Sequence, residues 1–328
     1  MRTLTSPPSA VVTRDGTIQT GSFRGALPRV DLRPLGKNVV YRLTHQKRWV
    51  YLAIATEDLF VGLAVVDLGY VKSTFAFAYA RDGGMLVDKS AIGHPVSGGV
   101  ADGIDGGLCA NFSSGRTRIE IIRRGDVLEI DAAFFPELEI RARLDAKVAH
   151  APLSAIGPIP GGMINATEKH ALLPVTGDLV VRGERRSLTG AVGGWDYTHG
   201  YLARHTQWRW GYLLGRATTG ERVAMNLVQG FLGERECGVW VDDTLYPVGE
   251  GRFSFADPMK EWAISTDDGA VDLHFQPGGM HAEKNDFKIV RSRFVQPVGA
   301  YRGTLKVGGR VLSLDGALGV AEDQDVVW

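Results

Sequence analysis

The chain has 328 residues, 44% of them hydrophobic, which excludes general disorder and is most simply explained by two domains. Its 37 Lys and Arg residues balance its 37 Asp and Glu residues, and this zero net charge argues against nonspecific nucleic-acid binding and against an electrostatic membrane anchor. The 42 Gly and 7 Trp residues favour short strands and tight turns over long helices.

The beginning of the chain lacks the apolar run of a secretory signal, and no stretch approaches the roughly 18 apolar residues of a membrane span. The two cysteines, Cys109 and Cys237, fall in different halves of the sequence, which argues against a disulfide framework. We therefore expect a cytoplasmic protein with no integral membrane segment.

Alternating apolar and polar residues over most of the chain predict half-buried strands rather than helices. Glycine-containing turns between such runs predict hairpins, because glycine supplies the positive φ that tight turns need. These turns lie at 124–126, 218–221, 267–269 and 308–309.

An internal repeat is indicated by short matches between the two halves of the sequence. Residues 49–52 (Trp-Val-Tyr-Leu) resemble 210–213 (Trp-Gly-Tyr-Leu), and the same offset carries Tyr79 onto Trp240. With a smaller offset, residues 141–144 resemble 291–294. The matches predict an all-β chain made of two duplicated antiparallel β-barrels. We place the first barrel at residues 1–165 and the second, which carries the candidate site, at 166–328.

Motifs for metals, nucleotides and covalent nucleophiles are absent from the sequence. It contains no His-Glu-x-x-His, no Cys-x-x-Cys and no Gly-x-Ser-x-Gly, and its eight His residues lack metal-ligand spacing. The sequence therefore predicts no cofactor and no metal site.

Aromatic side chains are densest between Gly193 and Gly211, which includes Trp195. Trp208 and Trp210 are two positions apart, so on a strand both indoles point to the same face. Two indoles on the inner face of a barrel form an apolar wall that also offers N–H donors. This segment is therefore the leading candidate for a ligand pocket, although the same indoles would also suit a filled core.

Asp196 lies between aromatic residues in this segment, which makes it a candidate proton donor or acceptor. His199 or Arg204 would be close enough in sequence to hold its carboxylate ionised. A structural explanation exists as well, because an Asp in a turn bonds backbone N–H groups and Arg204 would then be its ion-pair partner.

Weaker ligand-binding candidates follow further along the chain. Asn226 would point a carboxamide inward, and Glu236 with Trp240 forms a second group of acidic and aromatic side chains. A satisfied strand Asn and a solvated turn explain them equally well. Glu322 and Trp328, which close the last strand, are further weak candidates, and capping of the barrel end is the structural explanation for them.

These residues as a set resemble a family known only as the domain of unknown function numbered twenty-eight-oh-four. The likeness covers nearly the whole chain, and His199 departs from it, since Arg is common at that position. The matching residues are Asp196 with Gly200, Trp208 with Trp210, Asn226, Gly230, Glu236, 240–243, 275–277, 299–303, 319–322 and Trp328.

The Asp-x-x-x-Gly and Trp-x-Trp-Gly arrangement is also similar to a wider group of paired lipocalin-like barrels, which includes carotenoid hydratases, tocopherol cyclase and survival-factor-type lipid-transfer proteins. The resemblance implies two barrels side by side around an apolar cavity for isoprenoid or acyl ligands. It also implies chemistry by proton transfer without a bound cofactor, with Asp196 as the candidate acid.

Three functions remain open from the sequence. The first is binding of a small hydrophobic ligand, of isoprenoid, acyl or steroid-like type, and no nucleic-acid partner is expected. The second is a cofactor-independent hydratase, isomerase or cyclase that uses Asp196. The third is an interaction protein whose barrels are filled. The sequence does not indicate an oligomeric state, and it does not decide which barrel holds the site, although the second half is richer in candidate residues.

Overall fold

The computed structural model describes residues 2–148, 150–286 and 291–328. Within them the chain is almost entirely β-structure, with one short helix, α1 (Val39–His45), and 3-10 turns at Arg33–Leu35 and Gly233–Glu236. The strands of the first sheet are β1 (Gly21–Arg24), β2 (Gln46–Ala55), β3 (Leu59–Asp67), β4 (Lys72–Ala80), β5 (Gly84–Gly93), β6 (Gly98–Val100), β7 (Gly107–Ser114), β8 (Thr117–Arg124), β9 (Val127–Phe134), β10 (Leu138–Asp145), β11 (Leu153–Gly157), β12 (Ile164–Val181), β13 (Glu184–Ser187) and β14 (Ala191–Tyr201). Those of the second sheet are β15 (His205–Arg216), β16 (Arg222–Gln229), β17 (Gly238–Val241), β18 (Thr244–Pro247), β19 (Gly251–Ser254), β20 (Trp262–Thr266), β21 (Val271–Asp286), β22 (Arg291–Val307) and β23 (Arg310–Val327).

The strands form two curled antiparallel sheets that follow the same path. The first sheet is ordered β5-β4-β3-β2-β14-β12-β10-β9-β8-β7-β6, with β1, β11 and β13 attached at its side. The second is ordered β18-β17-β16-β15-β23-β22-β21-β20-β19. In each sheet the first long strand pairs with the last one, β2 with β14 and β15 with β23. This common topology confirms the predicted all-β class with two lipocalin-like barrels from an internal duplication.

The two sheets part between Tyr201 and His205. The predicted boundary at 165/166 therefore falls at the beginning of β12, a strand that pairs with β10 and β14 in the first sheet. The division of the chain into folding domains stays a prediction.

The repeat matches differ in what they align. Residues 49–52 lie on β2 and 210–213 on β15, which occupy equivalent places in the two sheets. The second match is wrong as an alignment of the repeats: 141–144 lie on β10, three strands from β2, but 291–294 lie on β22, two strands from β15. The similarity of the two segments therefore reflects the alternating polar and apolar pattern of a strand, and not equivalent places in the two sheets.

The four predicted hairpin turns are confirmed by the strand pairing, which joins β8 with β9, β15 with β16, β20 with β21, and β22 with β23. The glycines in these turns have positive φ angles: 61° for Gly125, 102° for Gly220, 71° for Gly269 and 58° for Gly308. This left-handed conformation is the one that glycine adopts without strain.

Strands β2, β3 and β4 are buried on both faces, unlike the half-buried strands that the sequence predicted for most of the chain. On β2, Val50 and Leu52 point into the core of the first barrel, whereas Tyr51 and Ala53 pack with the second. Phe75 and Phe77 of β4 join the same second core. The outer face of the first sheet therefore closes the second barrel, and each aromatic side chain buried there contributes roughly 1.5–3 kcal/mol.

Candidate functional site

A cavity of about 560 Å³ lies between the two sheets. Trp49, Ala64 and Phe75 line it from β2, β3 and β4, and Trp210 and Val228 line it from β15 and β16. The cavity is therefore shared by both halves of the chain, whereas the sequence had placed the candidate site in the second barrel.

Aromatic rings form much of the cavity wall. The indoles of Trp49 and Trp208 stack with centroids 6.0 Å apart, one from each sheet. Tyr51 meets Trp210 edge to face at 5.2 Å, again across the two sheets. Phe231 packs edge to face against Trp208 at 4.8 Å. Such rings offer a large, rigid apolar surface to a ligand.

A buried cluster of three charged side chains, Lys169, Asp196 and Glu236, lines one part of the cavity. The ammonium nitrogen of Lys169 lies 2.5 Å from Oδ1 of Asp196 and 3.3 Å from Oε2 of Glu236. Lys169 and Asp196 stand directly opposite each other in the pairing of β12 with β14. Burial alone lowers the pKa of Lys169, but the two carboxylates outweigh it and the net shift is upward. Burial raises the pKa of Glu236, and Lys169 opposes that shift.

Glu322 on β23 is a third buried acid at the cavity wall. Its Oε1 accepts a hydrogen bond from the indole Nε1–H of Trp208 at 2.6 Å, and its Oε2 accepts one from Nε2 of Gln296 at 2.8 Å. Burial raises the pKa of Glu322 to about 7, because these two neutral donors stabilise its charge only in part. A pKa near 7 brings the protonated and ionised forms of Glu322 close in free energy at neutral pH.

Several other buried polar atoms at the cavity wall have no hydrogen-bond partner among the residues that the structure describes. These atoms are the hydroxyl groups of Tyr51 and Tyr70, both amide atoms of Asn165, and Oε1 of Gln296 and of Gln324. A buried polar group without a hydrogen bond lowers the stability of the folded state, so native proteins contain few such groups. Their concentration around one apolar cavity indicates where a ligand would place its own polar groups.

The sequence-predicted residues that line the cavity are Asp196, Trp208, Trp210 and Glu236. Asn226 is fully buried just behind them. Its Oδ1 accepts from the indole N–H of Trp210 at 2.8 Å, and its Nδ2 donates to the backbone oxygen of Glu236 at 2.8 Å. Asn226 thus positions two cavity residues.

The other predicted residues lie elsewhere. Trp195 is in the core of the first barrel and donates to Glu168, and Trp240 is in the core of the second. His199 borders a different cleft, and Arg204 is exposed in the connection between the sheets. Strand alternation explains why His199 does not line the cavity: it is three positions from Asp196 on β14, so its side chain lies on the opposite face of the strand.

Sequence analysis missed Lys169, and it named Glu322 only as a weak candidate. The cation beside Asp196 is Lys169, not His199 or Arg204, and it comes from a neighbouring strand. Glu322 does not cap the barrel end but points into the cavity. The sequence signal for Lys169 was its place, next to Glu168, in a stretch at 163–173 that has apolar residues at both ends. A charged side chain that is buried in such a strand needs a partner of opposite charge.

No cluster of three or more metal-ligating side chains occurs in the described residues. Among the helices described by the structure, none has the length and apolar character to cross a bilayer.

Solved structures show the same fold at low sequence identity. A Nitrosomonas europaea protein described as an AttH has 9% identity and a TM-score of 0.52, covering 85% of this chain and 92% of its own. Kievitone hydratase from Nectria haematococca has 10% identity and a TM-score of 0.50, with coverages of 88% and 90%. CghA in complex with Sch210972 has 12% identity and a TM-score of 0.54, with coverages of 87% and 89%.

A comparison with curated proteins finds no match. The model of one family, described as a domain of unknown function (DUF2804), matches residues 2–328. This match spans both sheets and every residue of the cavity wall. The chain therefore belongs to the DUF2804 family.

Proposed function

We propose that this protein binds a small, largely apolar molecule with polar substituents in the cavity between its two sheets. The observation that carries the proposal is the set of buried polar atoms in the cavity wall that have no hydrogen-bond partner among the described residues. They include side-chain atoms of Tyr51, Asn165 and Gln296, and aromatic side chains surround them. The cavity volume of about 560 Å³ lies within the range of small-molecule pockets, roughly 300–1,000 Å³. A filled barrel would have neither feature.

The ligand class that fits best is isoprenoid, acyl or steroid-like. A flat or extended hydrocarbon would pack along the wall that the stacked indoles of Trp49 and Trp208 form, while a hydroxyl or carbonyl group would reach the charged cluster or Glu322. Two proteins with the same fold, kievitone hydratase and CghA crystallised with Sch210972, support a role in binding or converting a small molecule, and the choice of ligand class rests on the cavity alone.

A Val66→Phe variant is expected to lose the ligand. Val66 lines the cavity, and a phenyl ring there would occupy ligand space, so the ligand-to-protein ratio should fall at least about tenfold. The measurement is mass spectrometry of solvent extracts from protein purified from its native host. Val311→Phe, at a site that is 66% exposed, is the matched control and should keep the ligand. An empty unmodified protein, or an equally loaded Val66→Phe variant, would refute the proposal.

A second function, proton-transfer catalysis without a cofactor, is favoured by the different surroundings of two acids. Glu322 has a pKa raised to about 7, whereas Asp196 is ion-paired with Lys169. Two carboxyl groups in such different environments suit a donor and an acceptor. In this scheme Glu322 protonates the ligand at one atom and Asp196 accepts a proton from a neighbouring atom or from an added water. The outcome is isomerisation or hydration.

Conversion of the extracted ligand in D₂O tests this second function. The unmodified protein should introduce solvent deuterium or add water, and Glu322→Gln should slow the conversion at least about 100-fold. Glu184→Gln, at an exposed position on β13, is the control and should convert normally. If the unmodified protein leaves the ligand unchanged, the proposal of catalysis is refuted and binding alone remains as the proposed function. Full activity of Glu322→Gln would remove the role of Glu322.

A further inference from the structure

A second cleft, of about 610 Å³, opens on the opposite side of β14 from the cavity described above. It is bordered by the segment before α1, by α1 itself, by β2 and by the loop that contains Asp102. Its lining is rich in arginine, unlike the aromatic wall of the cavity between the sheets. No residue is common to the two linings.

Positive charge exceeds negative charge in this cleft. Four arginines line it, and two of them are taken up by acids: Arg33 pairs with Asp31 at 2.7 Å and Arg48 with Asp102 at 3.1 Å. The remaining two are Arg29 and Arg42. Within the part of the chain that the structure describes, neither has a carboxylate within 4.0 Å. The cleft therefore holds two guanidinium groups whose charge is not balanced locally.

His199 adds a donor to the same cleft. Its side chain is only 1% exposed, and Nε2 of Gln46 donates a hydrogen bond to its Nε2 at 2.7 Å. Burial holds the pKa of His199 well below its usual value, so the ring is neutral and its proton sits on Nδ1. That Nδ1 is 3.7 Å from Asp102, too far for a hydrogen bond, and it has no partner among the described residues. A buried N–H without an acceptor therefore belongs to a residue that lines a charged cleft.

We propose that this cleft binds a small doubly charged oxyanion, such as a phosphate group, between Arg29, Arg42 and the Nδ1–H of His199. Two unbalanced guanidinium groups match two negative charges, and their planar forks suit the oxygens of a phosphate. The buried imidazole N–H gives the anion one short, fixed contact.

Calorimetric titration at constant ionic strength and pH 7.5 tests this site, with inorganic phosphate and glycerol phosphate as probes. We expect saturable binding of at least one probe and about a tenfold loss of affinity in Arg42→Gln and in Arg29→Gln. Both positions lie at the surface of the cleft, and unchanged melting temperatures without phosphate would show that both variants fold. The control is Arg141→Gln, on the exposed face of β10, which should bind as the unmodified protein does.

The two probes separate the possible sources of the anion. Binding of inorganic phosphate alone would indicate a free anion, and binding of both probes would indicate a phosphate ester. The absence of binding by either probe would overturn the proposal, as would equal affinity of the unmodified protein and the Arg42→Gln and Arg29→Gln variants. A His199→Phe variant should also bind more weakly, because it removes the N–H donor and keeps a ring in the core.

Discussion

A Lys169→Met variant is expected to lose roughly 3–5 kcal/mol of unfolding free energy at pH 8, the cost of leaving buried carboxylates without their cation. Lys169 is 3% exposed and is held by Asp196 at 2.5 Å and Glu236 at 3.3 Å. Methionine fills a similar volume, so packing changes little and the loss measures the missing charge. Urea denaturation followed by tryptophan fluorescence gives the free energy.

This loss should shrink as the solution is acidified. Burial already raises the pKa of Glu236 above its unfolded value, and removal of Lys169 takes away the effect that opposes this shift. An acid with a raised folded pKa contributes its stability below the unfolded pKa and loses it as pH rises through the folded pKa. The deficit of Lys169→Met should therefore be smaller at pH 5 than at pH 8.

A matched control is Lys89→Met, at an ion pair with Glu137 that is about one-third exposed on both sides. It should cost less than about 1 kcal/mol at either pH, because water solvates the remaining carboxylate. If the Lys169→Met variant were as stable at pH 8 as the unmodified protein, the positive charge of Lys169 would not stabilise the fold, and the prediction would be wrong.

Glu322→Gln should remove a pH dependence that the unmodified protein shows between about pH 4.5 and pH 7.5. The folded pKa is raised to about 7, so the acid stabilises the fold below its unfolded pKa and this contribution disappears as pH rises. A shift of that size corresponds to roughly 3 kcal/mol. Gln cannot ionise, and it still offers an oxygen to the indole of Trp208.

The measurement is a series of chemical denaturations across this pH range for both proteins. The difference in unfolding free energy between Glu322→Gln and the unmodified protein should grow in favour of the variant as pH rises. Glu184→Gln, with a side chain that is 78% exposed, should follow the unmodified protein at every pH. Parallel curves for Glu322→Gln and the unmodified protein would contradict the raised pKa.

Local pattern was enough to predict the fold class and a small part of the cavity wall. Gly269 and Gly308 marked turns without knowledge of the fold, because their conformation is decided by neighbouring residues. The two-residue spacing of Trp208 and Trp210 placed both at the cavity. The same alternation rule, applied to the odd spacing of Asp196 and His199, would also have separated those two residues in advance.

The rest depends on which strands become neighbours. Lys169 meets Asp196 through the register of β12 on β14, and Glu322 lies opposite Trp210 through the register of β23 on β15. The residues of each pair are far apart in the sequence. No periodicity within one strand specifies such a partner. The shared cavity could not be predicted for the same reason, since the sequence does not state that the outer face of one sheet closes the other.

The two buried faces of β2, β3 and β4 have a consequence for the origin of the protein. In a single ancestral barrel, the face that now carries Tyr51, Phe75 and Phe77 would need cover from a second copy of the same chain. Because both halves belong to one chain, they need not carry the same residues: the first sheet supplies Lys169 and Asp196, and the second supplies Glu322. An asymmetric site of this kind cannot arise on the axis of a symmetric dimer, whose two halves must carry the same residues.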